Sequence, residues 1–423
     1  MLQVSYIRDN REQVLERLAV KNFKQPELVD EIIRLDDNRK QTQNRLDSTS
    51  AEANAAAKRI GELMRTGQKA EADQLKSQTG TWKEDIKRLG EELTSIEQEL
   101  QQKILVLPNL PHSSVPKGVA AEDNEIVLEN GEKPNLIENA LPHWELATKY
   151  NLIDFELGVK ITGAGFPVYK GKGAKLQRAL IAFFLDEAEK AGYNEVMLPL
   201  MVNEASGFGT GQLPDKEGQM YFVGQDNLYL IPTAEVPITN LYRDVILKAD
   251  ELPVKNTGYT PCFRREAGSY GAHVRGLNRL HQFDKVEIVQ VVHPDTSYDV
   301  LEQMSTHVQS LLQKLGLPYR VLRLCGGDMS FTAALTYDME TWSAAQQRWL
   351  EVSSVSNFET YQSNRLKLRF RNAEGKTQLA HTLNGSALAL PRIVATLLEN
   401  NQTENGIKIP EVLVPYTKFE WIN

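Results

Sequence analysis

At 423 residues the chain is long enough for more than one hydrophobic core, so two domains are expected. Hydrophobic residues at 41% and charged residues at 25% are globular proportions, and no apolar run approaches the length of a bilayer, which excludes a helical membrane protein. The net charge of -8 excludes a general pull on a nucleic-acid backbone, so any RNA contact has to use a local patch of Lys and Arg.

Residues Met1 to Asp9 mix polar and apolar types and lack the basic start, apolar centre and cleavage site of a secretory leader, so a cytoplasmic location is expected. The N-terminal quarter is rich in Glu, Gln, Lys, Arg, Leu and Ala and almost free of proline, the composition of long helices. From Ile32, the positions Leu35, Arg39, Thr42, Leu46, Thr49, Ala53, Ala56, Ile60 and Leu63 recur at the coiled-coil period. Leu75, Trp82, Ile86, Leu89, Leu93, Ile96 and Leu100 repeat it. Between the two runs Gly67 offers a turn, so they are expected to fold back as an antiparallel hairpin on the order of 50 Å long. The seam is weak in its middle, where Arg39, Thr42, Thr49 and alanines take core positions. Such an arm either reaches a partner or dimerises. Its Lys58, Arg59, Arg65, Lys69, Lys76, Lys83, Lys87 and Arg88 alternate with acids, as on a solvated face.

Leu107-Pro108-Asn109-Leu110-Pro111 ends the helical pattern. It sets the expected boundary between an arm, residues 1–107, and a second domain, residues 108–423. There, short apolar runs such as Val196-Met197-Leu198 and Val286 to Val292 alternate with helical stretches such as Leu176 to Lys190. The class is α+β with a mainly antiparallel sheet. Cys262 and Cys325 lack the spacing of a zinc site or a disulfide framework and read as reduced core residues.

The segment with the most chemistry is Pro261 to Gly268, followed by a basic loop through His273, Arg275 and Arg279 and then His281 to Glu287. On an extended strand Arg264 and Glu266 share a face, setting a cation suited to phosphate beside a carboxylate suited to an amine. Phe283, Lys285 and Glu287 also share a face, adding an aromatic platform for a purine. An exposed salt-bridge ladder is the alternative at this point. Farther on, Leu383 to Arg392 reads as a Gly-led turn into an apolar helix, and an arginine in so apolar a run calls for an anionic partner such as ATP phosphate. His273 and His281 are read as loop residues without a catalytic role.

Phe263-Arg264-x-Glu266 together with Arg279, Phe283 and Glu287 resembles the second signature motif of class II aminoacyl-tRNA synthetases, and Leu383 to Arg392 resembles the third. Leu176 to Lys190 with Gly192 to Pro199 resembles the first, which forms the family's dimer interface. Gly327 to Ala334, Tyr337 to Trp342, Glu351 to Phe358, Thr233-Ala234-Glu235 and the N-terminal hairpin are similar to the seryl-tRNA synthetase family, so the likeness spans essentially the whole chain. It implies a class II antiparallel sheet flanked by helices, with a coiled-coil arm. The implied activity is a ligase that converts ATP to AMP and diphosphate while activating serine and passing it to the 3′ end of tRNA(Ser); tRNA(Sec) stays open as a second acceptor.

The resemblance also implies roles. Arg264 and Arg392 are the catalytic residues, and with Arg265, Glu266, Arg279, Leu280, Phe283, Glu351, Val352, Ser353 and Ser354 they form the ATP site. Thr233, Ala234, Glu235, Arg264, Glu287, Asn384 and Ser386 would hold serine, and Glu351 with Ser354 a Mg2+ ion. Partners are tRNA, held by the arm, and a second copy of the chain in a homodimer. Two departures from the family pattern stand out: Val355 where cysteine is common, and Tyr361-Gln362-Ser363-Asn364-Arg365 where Phe-Gln-Ala-Arg-Arg is usual. Rival readings are an amino acid ligase acting on a carrier protein, which lacks such an arm, and a non-catalytic paralogue, which need not retain Arg264 and Arg392.

Overall fold

A computed structural model describes residues 1–215, 218–266 and 275–423, so Ala267, Gly268 and His273 lie outside the described residues. The chain forms two compact units, Met1–Ala19 with Phe23–Pro108, and Val20–Asn22 with Asn109–Asn423.

The first unit contains α1 (Val4–Asp9), most of α2 (Arg11–Val20), α3 (Glu27–Arg65) and α4 (Lys69–Ile104). Helices α3 and α4 run antiparallel around a turn at Gly67, whose φ of 79° suits glycine. At 39 residues α3 is roughly 58 Å long. Ile32, Thr42, Ala56 and Leu63 are buried against α4, which buries Leu89, Leu93, Leu100 and Ile104. The threonine and alanine in the seam are thus packed, though they bury less apolar area than leucine. The sequence pattern does not disclose Asp36, which is buried in α3 and bound by Arg8 of α1 at 2.8 Å, by Arg39 at 2.9 Å and by Lys40 at 2.8 Å. Burial opposes its charge, but the three donors outweigh it and hold the carboxyl at about 2.

In the second unit the main sheet has eight strands: β1 (Glu125–Asn130), β2 (Asn194–Glu195), β3 (Val254–Phe263), β4 (Gln282–Val292), β5 (Tyr319–Arg323), β6 (Leu335–Ser343), β7 (Arg348–Asn357) and β8 (His381–Ala389). Their spatial order is β1-β5-β6-β7-β8-β4-β3-β2. All neighbours are antiparallel except β2 and β3. Val286 and Ile288 of β4, Val355 of β7 and Leu383 and Ala387 of β8 belong to one large apolar cluster. The same cluster takes Leu176, Leu180 and Phe184 of α6 (Gly171–Lys190), Leu301, Met304 and Val308 of α9 (Ser297–Lys314), and Ile393, Val394 and Leu397 of α11 (Leu390–Asn400). The α+β class with an antiparallel sheet is what the sequence led us to expect.

Two local expectations are corrected. Leu383 to Ala389 is not a turn into a helix: it is strand, and the helix begins at Leu390. Residues Thr382 to Leu388 are buried on both faces of the strand, so a run of this kind has the same appearance as a buried helix. Val196-Met197-Leu198 lies beyond β2, and Met197 is 96% exposed.

A buried polar network ties α11 to α5 (His143–Lys149). His143 Nδ1 donates to Glu399 Oε1 at 2.7 Å while Nε2 accepts from the Leu277 amide at 2.9 Å, which defines the tautomer. Gln346 donates to Oε1 at 3.0 Å, and the Ser343 hydroxyl donates to Oε2. Gly276 rests on the ring with φ +68°, and a Cβ there would sit 2.3 Å from Nε2. Burial raises the Glu399 carboxyl and these donors more than offset it, leaving its pKa lowered.

His143→Ala leaves Glu399 and the Leu277 amide short of a partner, so chemical denaturation should show a loss on the order of 3 kcal/mol. Asp36 has a folded pKa below its unfolded value, so it stabilises the arm above about pH 4, and this is lost as pH falls toward 2. Asp36→Asn should therefore lower the melting temperature at pH 7, and the gap to wild type should narrow as pH drops from 5 toward 2, read by circular dichroism.

Candidate active site

The polar face of the sheet is built by alternation. On β4, Lys285 and Glu287 point away from the cluster that buries Val286 and Ile288, and their side chains pair at 2.7 Å, 7% and 1% exposed. Ser386 of β8 stands opposite Glu287. In the next ladder Val355 of β7 stands opposite Gly385, which brings Ser354 to the level of Ser386. Asn384 is paired with Val289 on one side and Ser356 on the other and is nearly buried. Val355 fills the gap over Gly385 from the apolar face, so this departure from the family pattern is a matter of core packing.

Thr233 and Glu235 approach this face from α8 (Glu235–Asn240) and the turn before it. The Thr233 hydroxyl accepts from the Glu235 amide at 3.2 Å and donates to Glu287 Oε2 at 3.4 Å. Burial, with Glu287 nearby, pushes the Glu235 carboxyl up to about 7, against hydrogen bonding from Gln362 and the positive fields of Lys285 and Arg264. The side chain of Ala234 packs with Ile238 and Val289, so only its backbone can face a ligand.

Strand β3 ends at Phe263, and Glu266 has φ +49°, so Arg264 and Glu266 do not alternate along a strand as expected. They turn out of the sheet separately. Arg264 Nε donates to the Pro232 carbonyl at 3.3 Å, and its guanidinium lies 5.3 Å from the centre of the Phe283 ring. Glu266 instead pairs with Arg279. The Arg265 amide donates to the Gln219 carbonyl at 2.8 Å. Leu280 and Val352 are buried in the apolar cluster, and Ser353 donates to the Ser386 carbonyl at 2.6 Å, so these three can offer a ligand little beyond backbone. His281 Nδ1 faces the Arg264 carbonyl at 3.0 Å and its ring stacks on Phe166, a structural position.

Arg392 also differs from expectation. It stands off the apolar stripe of α11 with its side chain 30% exposed, so prohibitive burial does not explain its presence. It is held instead by the Asn278 carbonyl at 3.1 Å, the Glu351 carbonyl at 2.7 Å and the Glu351 carboxylate at 3.5 Å. The amide of Leu277, next to Asn278, is the one anchored by His143, so the buried network reaches this arginine through one peptide.

Glu351 and Ser354 are three apart and would fall on opposite faces of a regular strand. The β6–β7 register slips by one residue between Met339 and Glu340, which lets Val352 and Val355 both enter the core and turns Glu351 and Ser354 to the other side. Asp338 lies opposite Ser354, and its Oδ1 is buried without a hydrogen-bond partner among the described residues. Burial and then Glu351 raise its carboxyl well above the usual range. Three oxygen side chains converging, one with an unmet acceptor, fit a hard divalent cation such as Mg2+. Among the described residues no three His, Cys, Asp or Glu side chains form a metal cluster by themselves. Sequence reasoning gave no role to Asp338, Asn278, Gln362 or the His143–Glu399 pair, although Asp338 and Gln362 stand within the family-like stretches Tyr337 to Trp342 and Tyr361 to Arg365.

Residues 1–111 match the model of the seryl-tRNA synthetase N-terminal domain, and residues 221–401 that of the tRNA synthetase class II core domain (G, H, P, S and T). A serine–tRNA ligase of Salinibacter ruber is 52% identical over 421 residues, 99% of this chain and 98% of that protein. Seryl-tRNA synthetase from Pyrococcus horikoshii, solved with ATP, superposes with a TM-score of 0.93 at 32% identity, covering 100% of this chain and 99% of that one. The cytoplasmic serine–tRNA ligase of Naegleria fowleri, solved with AMP, gives 0.89 at 26% identity, with 100% and 99% covered. The motifs, the sheet that gathers them and full-length identity to a serine–tRNA ligase agree: the chain belongs to the seryl-tRNA synthetase family.

Proposed function

We propose that this chain activates serine with ATP and transfers the seryl group to the 3′ end of tRNA(Ser), using residues 108–423 for the chemistry and the arm of residues 1–107 for the tRNA. The observation that carries the reading is the pair of buried carboxylates, Glu235 and Glu287, set on one sheet face with Arg264 and Lys285. Two acids that close suit a cationic, hydroxyl-bearing ligand better than an apolar one. Full-length similarity to structures solved with ATP and AMP supports the nucleotide half of the reading.

In this reading a serine carboxylate oxygen attacks the α-phosphorus of ATP, the bond to the β-phosphate oxygen breaks, and pyrophosphate leaves. The carboxylate is already an anion, so no general base is needed, and the protein contributes position and charge. Arg264 binds the serine carboxylate and the α-phosphate together. Glu266 accepts from the adenine amino group, Phe283 stacks on the ring, and Arg265, Arg279 and Arg392 hold phosphates, with backbone of Leu280, Val352 and Ser353 around them. Magnesium at Glu351 and Ser354 supplies charge neutralisation on the phosphates when bound. Thr233, the Ala234 backbone and Glu235 surround the ammonium, while Glu287, Ser386 and Asn384 meet the hydroxyl end. Transfer then requires attack of a terminal ribose hydroxyl of the tRNA on the acyl carbonyl, releasing AMP. A homodimer through α6 and the segment with Met197 is part of the proposal, supported by the 96% exposure of that side chain.

Serine-dependent exchange of labelled pyrophosphate into ATP tests the activity. Alanine lacks the hydroxyl that the buried acids await, so its kcat/KM should fall by about 10⁴-fold, and threonine, refused only by shape, by roughly 10- to 200-fold. Exchange driven better by another amino acid would refute the substrate. Deleting Glu27 to Ile104 should leave exchange within about two-fold while charging of tRNA falls on the order of 100-fold, an outcome that a carrier-protein ligase would not give.

A further inference from the structure

Gln362, on α10 (Thr360–Leu366), is 1% exposed and meets the sheet at Thr382 of β8. Its Nε2 lies 2.6 Å from Glu235 Oε1 and 3.2 Å from the Thr210 carbonyl, while its Oε1 accepts from the Thr382 hydroxyl at 2.7 Å. A carboxylate and a carbonyl at one end of the amide, both acceptors, force the nitrogen to that end. Thr382 supplies a donor at the other, so the side chain cannot flip without leaving acceptors facing each other. Thr210, Glu235 and Thr382 are themselves 0%, 6% and 1% exposed, which excludes water as a substitute partner.

We propose that Gln362 is a positioning residue for the amino-acid substrate: its locked amide holds Glu235 Oε1 and aims the remaining carboxylate oxygen at the substrate ammonium. The inference rests on the reading that Glu235 receives that ammonium. The groups facing Glu235 are Glu287 and Lys285 from β4 and Arg264 from the end of β3. Glu287 disfavours the Glu235 charge, the two cations favour it, and Gln362 donates the side-chain hydrogen bond that favours it as well. Without that donor the charged form is less favoured, so the Glu235 carboxyl titrates at a higher pH and less of it is ionised near neutrality.

The test uses the full-length chain in pyrophosphate exchange, with KM for serine and for ATP measured between pH 6 and 8.5. Gln362→Met keeps the length and removes the donor. It should raise KM for serine about tenfold at pH 7, leave KM for ATP within about two-fold, and move the acidic limb of log(1/KM) for serine upward by about one pH unit. Much of the loss should then be recovered at pH 8.5. Thr382→Val, which releases the lock and keeps the donor, should give the same shift in smaller measure, and it carries the test if Gln362→Met does not fold. A rise in KM for serine that is equal at every pH, or a parallel rise in KM for ATP, overturns the proposal. Glu235→Gln separates the two layers. If it impairs serine binding and Gln362→Met does not, Gln362 has no such role; if neither changes KM for serine, the ammonium reading itself fails.

Discussion

Alternation of side chains across the strand Gln282–Val292 is the constraint on which the site depends. Its odd-numbered members Lys285 and Glu287 and its even-numbered members Val286 and Ile288 cannot share a face, so a strand that anchors the core also carries a buried ion pair. Antiparallel pairing to β8 and, through it, to β7 extends the same division sideways. The strand-borne polar groups of this face, Lys285, Glu287, Asn384 and Ser386, are thereby fixed to a backbone paired with strands on both sides. A site built on central strands keeps its geometry better than one built on loops, and activation by positioning demands that.

The electrostatics follow from that placement. Glu235 and Glu287 are both buried, and for Glu235 the charges of Lys285 and Arg264 and the Gln362 amide offset only part of the cost. Removing one member of such a group is expensive because the charge left behind stays buried. The unmet demand of Glu235 is what a substrate ammonium would relieve. Asp338 is the matching case beside Glu351 and Ser354, with a buried oxygen that has no hydrogen-bond partner among the described residues.

Arg392 illustrates support from a distance. Its position depends on the Asn278 carbonyl, the adjacent Leu277 amide depends on His143, and His143 depends on Glu399 from the same helix that carries the arginine. The chain of contacts closes on itself. Helix α11 and the segment at Asn278 therefore keep a fixed relation, although residues 278 and 392 are far apart in sequence.

The sequence by itself determined the long helices, because a repeat of three and four residues admits one solution, and it marked the Gly67 turn and the proline boundary. It also named Arg264, Phe283, Glu287 and Arg392 through motif spacing. Tertiary structure alone decided three matters. Leu383 to Ala389 is strand because its neighbours are strands, which an apolar run cannot disclose. Glu351 and Ser354 share a face because the β6–β7 register slips, a property of the pair and absent from either strand alone. Gln362 meets Glu235, and His143 meets Glu399, through hydrogen bonds between residues more than a hundred positions apart, and local pattern carries no record of such distances.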